Sequence, residues 1–247
     1  MNGDKIHPST QISSLKDYVD FIENQCVDYD VVLFRGQRED WSLKPKLARK
    51  NLRLQSSILE AEQDMLSYLK RKSMPHLKSI PENDWEWLSL AQHHGMATRL
   101  LDWTTNPLAA LWFAINKPSD SNTDGVIWTF LLTDIEFIED ENLSSESPFT
   151  QTFTRIHQPK HITNRITSQQ GWFTVHAYNS SKNQFTPLEQ DMRYLNKLRK
   201  LTIPANKFQE LRFHLDRCGI NAYSIFADLD GLCKDAEWQF TVDIDES

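Results

Sequence analysis

Apolar positions along the chain fall into two rhythms, and the polar residues between them mark where each rhythm starts and stops. Ser14 precedes Leu15, Tyr18, Val19 and Ile22, which share one helical face, and Asp17 follows three residues later as a capping-box acid. Ser57 and Glu60 repeat that device ahead of Ile58, Met65, Leu66 and Leu69, predicting a helix over 57–69. A third helix is predicted from Asn83 to His94 on Trp85, Trp87, Leu88 and Leu90, with Gly95 closing it as a left-handed cap. Asn106 and Pro107 open a fourth, carried to about Asn116 by Leu108, Leu111, Trp112 and Ile115. Asn206 to Cys218, ended by Gly219, is another amphipathic helix.

The second rhythm is that of strands. Val31 to Gln37 is a short apolar run that ends in Arg35, Gly36 and Gln37 and reads as a buried strand opening into a loop. Gly125 to Thr133 is the clearest strand, Gln169 to His176 is β-like, and Ile220 to Phe226 also reads as strand. Residues 139–152, acidic and serine-rich, read as a mobile surface loop. There is no internal repeat and no linker rich in proline and glycine, so the expectation is a single α+β domain. Its bounds are expected at 30–247, after an N-terminal helical segment over 1–29.

Composition narrows the function classes. Of 247 residues, 39% are hydrophobic and 25% charged, and no apolar run approaches the roughly 18 residues of a membrane helix. Met1 to Ser14 lacks an apolar stretch of the secretory kind, so a cytoplasmic location without membrane contact is expected. Three cysteines, Cys26, Cys218 and Cys233, are too few and too scattered for a disulfide framework or a four-thiolate zinc site. The net charge of -7 provides no global field for nucleic acid, leaving only local patches such as Lys197, Arg199 and Lys200, which equally form a solvated face. Glycine is scarce, 7 in all, and Gly36, Gly95, Gly171 and Gly231 fall in the segments that hold the most reactive side chains.

Arg35 follows buried strand residues, and its planar fork of donors suits a phosphate or carboxylate. The ligand reading has Gly36 admitting a close approach to the backbone, while the alternative is an arginine paired with a nearby carboxylate. Gln92-His93-His94-Gly95 and the stretch from Arg99 to Asn106 concentrate imidazole, guanidinium, carboxylate and hydroxyl groups around two turns. His93 and His94 suit a general base or ligand donor, and they equally suit stabilisation by the end of a helix. Asp102, close to Thr104, can orient a ribose hydroxyl or cap the following helix. Asp228 and Asp230 can hold a divalent ion or form a turn, and no metal is expected. Glycine-rich nucleotide loops, zincin motifs and nucleophile elbows are absent.

Taken in order, Leu33 to Gln37, Ala91 to Gly95 with Thr98 to Leu108, Gln169 to Thr174, and Phe226 to Leu232 closely resemble the FRG domain family, named for its (Phe/Tyr)-Arg-Gly motif. The resemblance spans about 30–235, and Ala227 stands where the family usually has proline. A second resemblance, to ADP-ribosyltransferases, implies a split β-sheet core with NAD as co-substrate. Arg35-Gly36 resembles the first element of that site, and Trp103-Thr104-Thr105 leading into Ala109 to Ala114 resembles the second. Gln169 and Gln170 fall where a glutamate is usual. A neutral amide can bond the ribose but brings no charge to the transition state, so Asp102, Glu189, Asp228 or Asp230 would supply it. The resemblance implies Arg35, Thr104, Gln170 and Asp102 as catalytic residues. Phe34, Arg35, Gly36, Gln37, His93, His94, Arg99, Trp103, Thr104, Gln169, Gln170 and Phe173 would line the NAD site. The implied role is a toxin or antiviral defence effector that modifies RNA or protein, with an antitoxin as partner. A nucleotide-binding module without turnover is the alternative.

Overall fold

In the computed structural model, residues 9–53, 56–117, 123–133, 146–159 and 171–241 are described. Strand β1 (Thr10–Gln11) leads into α1 (Leu15–Gln25), whose start is fixed by the Ser14 side chain accepting from the Asp17 amide. Next come β2 (Val31–Gln37), α2 (Ile58–Ser73), α3 (Asp84–His93), β3 (Leu100–Thr104), α4 (Pro107–Ile115) and β4 (Gly125–Leu132). Ser57, Asn83 and Asn106 cap the three helices of that run through their side chains, as their types and positions predict. The chain continues through β5 (Arg155–His157), β6 (Gly171–Val175), β7 (Tyr178–Asn179), β8 (Gln184–Phe185) and β9 (Leu198–Ile203). It ends in α5 (Phe208–Arg217), α6 (Ala222–Phe226) and α7 (Leu229–Phe240).

One seven-stranded sheet, in the order β1-β9-β4-β2-β3-β6-β5, organises this α+β domain, and all its pairings are antiparallel except β1 with β9. Strand β4, flanked by β9 and β2 inside the sheet, is buried at every position, as an uninterrupted apolar run requires. On one face α1, α4 and α5 bury Phe34, Ile127, Leu131 and Leu201 against Ala110, Leu111, Ala114 and Leu215. On the other, Leu33, Trp103, Trp128 and Phe130 are covered by Leu43, Leu188 and Tyr194 from the segments after β2 and β8. A third cluster packs α2 and α3 onto β3 and β6 through Leu66, Leu88, Leu100 and Phe173.

The sequence reading holds for the helices of the first half and for β2 and β4. It is corrected at residues 220–226, where the chain forms α6 rather than a strand, because Asn221 and Ser224 build a reciprocal capping box. Most of the acidic 139–152 segment lies outside the described residues, and its last part forms a short turn of helix at Pro148–Thr150.

Candidate functional site

Strands β2 and β4 share seven registered pairs, whereas β2 and β3 share one, Phe34 with Thr104. The sheet therefore parts on both sides of that pair. Beyond it, towards the end of β2, Arg35 takes the place of a backbone ladder: its Nη1 donates to the Asp102 carbonyl at 2.8 Å. The same nitrogen lies 3.8 Å from the Asp102 carboxylate, which is more than half exposed. Burial draws the guanidinium's pKa below its ordinary value, and Asp102 acts in the opposite sense. Asp102 in turn accepts from the Gln92 amide at 2.8 Å, and the Gln92 carbonyl oxygen accepts from the Thr98 hydroxyl at 2.7 Å. Two polar groups of β2 are left over. Among the described residues, Arg35 Nε is buried without a partner, and Gln37, two residues along and on the same strand face, leaves both its amide oxygen and nitrogen unpartnered.

On the near side of the Phe34–Thr104 pair, β3 turns into α4 and leaves a hollow of about 360 Å³. Phe34, Thr105, Pro107 and Trp172 line it, with Val31 and Asp30 from the start of β2. Gln169 and Gln170, the amides expected to hold a ribose, lie outside the described residues, immediately before the first residue of β6.

Gly36 serves packing. A Cβ there would meet the Ala110 carbonyl oxygen at 1.9 Å, so the glycine admits helix α4, and the expectation that it admits a ligand is replaced by this contact. Thr104 is buried, and its hydroxyl accepts from the Asn106 amide at 3.0 Å, on the opposite sheet face from Arg35. His93 and His94 end α3 with their rings in edge contact, 4.9 Å between centroids, and Gly95 follows with φ of 81°.

Besides Thr104, three further expected site residues are not brought to Arg35. Arg99 is fully buried, donating to Glu62 from its backbone at 2.7 Å and from Nε at 2.8 Å, and to the Pro148 carbonyl at 2.7 Å. The buried ion pair with Glu62, in which Nη2 lies 2.7 Å from the carboxylate, joins α2 to β3, and Phe149 and Phe185 cover the guanidinium plane. Trp103 is core, donating to the Thr174 hydroxyl at 3.0 Å, and Phe173 packs under α3. Of the four carboxylates weighed as the acid, Asp102 alone is seen beside Arg35. Glu189 holds Ser42 and Leu43, Asp228 caps α7 by accepting from the Gly231 amide, and Asp230 lies in that helix's first turn.

Sequence reasoning missed Glu62, although its spacing was readable: it lies four residues from both Ile58 and Leu66 on the apolar face of α2. It also missed His176, buried between the Thr174 hydroxyl and the Thr186 carbonyl, both at 3.2 Å.

These observations define an α+β protein with an arginine set into the parting of its central sheet, beside an acidic and amide-rich rim. Residues 30–123 match the model of the FRG domain. The matched stretch carries β2, α3, β3 and α4, and with them Arg35, Gln92, Asp102 and Gly36. No curated protein and no solved structure matches the chain.

Proposed function

We propose that the protein is an NAD-dependent ADP-ribosyltransferase, a toxin or defence effector that modifies a macromolecular acceptor, with RNA favoured over protein. The observation that carries this reading is Arg35, a mostly buried guanidinium anchored by one nitrogen to the Asp102 carbonyl, with Nε left unpartnered at the parting of β2 and β3. A diphosphate approaching there satisfies that donor and charge together. Gln169 and Gln170, the amides expected to hold the ribose, directly precede Gly171, the first residue of β6, in sequence. Asp102 is the carboxylate that would support positive charge on the ribose, in the role a glutamate usually fills.

Incubation of the purified chain with NAD tests the proposal. Nicotinamide release is expected, and Arg35→Ala lowers it about a hundredfold or more while the far-ultraviolet circular dichroism stays unchanged. A second reading, a nucleotide-binding module without turnover, draws on the Arg35–Asp102 pair, since a guanidinium with a carboxylate 3.8 Å away is partly neutralised before any ligand arrives. Saturable NAD binding with no nicotinamide release, even when cell lysate supplies acceptors, would favour that second reading and end the first.

A further inference from the structure

A second hollow, of about 420 Å³, is lined by Asp40, Trp41, Ser42, Trp128, Glu189 and Lys200. Its floor is a pair across two strands. Trp128 and Lys200 are direct cross-strand partners on β4 and β9, so their side chains project from the same sheet face, the one that also carries Arg35 on β2. The Lys200 ammonium lies 5.7 Å from the centroid of the Trp128 ring and pairs with Asp40. The rim is tied in place by Glu189, whose carboxylate accepts from the Ser42 hydroxyl at 2.5 Å and the Leu43 amide at 3.0 Å.

The polar floor is incomplete. Trp128 is only 3% exposed, and its indole Nε1 has no acceptor among the described residues. A buried donor left unmet is costly, so an acceptor delivered into the hollow is favoured. Gln37, its diagonal neighbour across the β2–β4 ladder, leaves its amide unmet as well. The aromatic surface extends to the rim, where Trp41 is 40% exposed and its Nε1 is held by Glu39.

We propose that this hollow binds a guanine-type base, a flat ring with one carbonyl acceptor beside N–H donors on the same edge. Indoles supply stacking surface for any base. The edge groups select among bases. Trp128 Nε1 and Lys200 Nζ are donors for the carbonyl oxygen, and the carboxylates of Asp40 and Glu189 accept from the ring N–H and the amino group. Adenine and cytosine present an amino donor beside ring acceptors, which leaves the second carboxylate contact unmade. Two carboxylates against one ammonium also make the rim repel phosphates, so the base enters with its phosphates turned away. The proposal does not depend on the NAD reading, because this hollow shares no lining residue with the one at Phe34, Thr105 and Trp172, and Arg35 lines neither.

Calorimetric titration of the full chain with guanosine, adenosine and cytidine tests it, alongside two single-stranded RNA oligomers of equal length with and without guanine. Guanosine is expected to bind at least about tenfold tighter than the other nucleosides, with Trp41→Ala abolishing binding and Asp40→Asn erasing the preference. Both side chains are exposed, so neither variant threatens the fold. Preference for the guanine-containing oligomer without affinity for free guanosine supports the site and identifies an RNA chain as the ligand's source. Absence of any guanine preference, or a preference that survives both substitutions, overturns the proposal. Nicotinamide release measured in parallel separates failure here from failure of the transferase reading.

Discussion

Two arginines show how the same residue type is put to opposite uses. Arg99 gives its backbone N–H and Nε to Glu62 and Nη1 to the Pro148 carbonyl, and its Nη2 lies 2.7 Å from the Glu62 carboxylate, so the buried side chain holds α2, β3 and the 148–150 turn together. Arg35 keeps one donor back. Nothing in the local sequence around either residue distinguishes them, since each is an arginine beside apolar strand residues; the difference is whether a distant helix brings a carboxylate to it. Gly36 is a similar case. Its motif position was legible, but its reason was not, because the Ala110 carbonyl that excludes a side chain comes from α4. Gly36→Ala should therefore lower the urea unfolding free energy by at least about 3 kcal/mol, since the atom that would have to yield is backbone. An unchanged urea midpoint would mean that α4 can move away from β2 at little cost.

At the scale of elements, the chain's own caps made the helices readable. Ser14, Ser57, Asn83 and Asn106 each accept from a backbone amide two or three residues on, a bond that needs only local chain. The strands were less readable. Strand β9 alternates Leu198, Leu201 and Ile203 with Arg199, Lys200 and Thr202, and read alone its charges look like a solvated face. Its identity as a strand comes from pairing with β4 on one side and β1 on the other. Helix α6 ends at Ala227 in the left-handed region, with φ of 50° and ψ of 35°, where a β-carbon is strained. Ala227→Gly is expected to raise stability by about 1 kcal/mol, measured by thermal or urea unfolding. Ala227→Pro is expected to lower it, because the ring fixes φ near about −65°. A stabilising proline would show that the α6–α7 corner can adopt a second backbone path.

Across the whole molecule, three apolar clusters divide the sheet's two faces and its α2–α3 flank, and the polar features of interest lie where those clusters leave off. His176 shows what that enclosure does to a titratable group. Burial, opposed by the Thr186 carbonyl and aided by Arg35 and Arg99, pushes its pKa down from 6.5 to about 4. The unfolded chain then binds a proton that the folded one refuses. The resulting stability is fully present above about pH 6.5 and is lost as pH falls towards 4, a change of about 3 kcal/mol. Urea unfolding followed between pH 7 and 4 should show that slope, and His176→Gln should flatten it; an equal slope in the variant would assign the loss to other groups.

The sequence by itself determined the helices of the first half, strands β2 and β4 and the FRG motif, because periodicity, caps and short motifs are written in neighbouring residues. Only the tertiary structure decided which polar side chains are spent on the fold and which remain for a ligand. That choice depends on partners tens of residues away: Asp102 for Arg35, Glu62 for Arg99 and Ala110 for Gly36. Hydrogen-bond and steric partners at such separations are set by how strands pair and helices pack, and no local pattern carries that information.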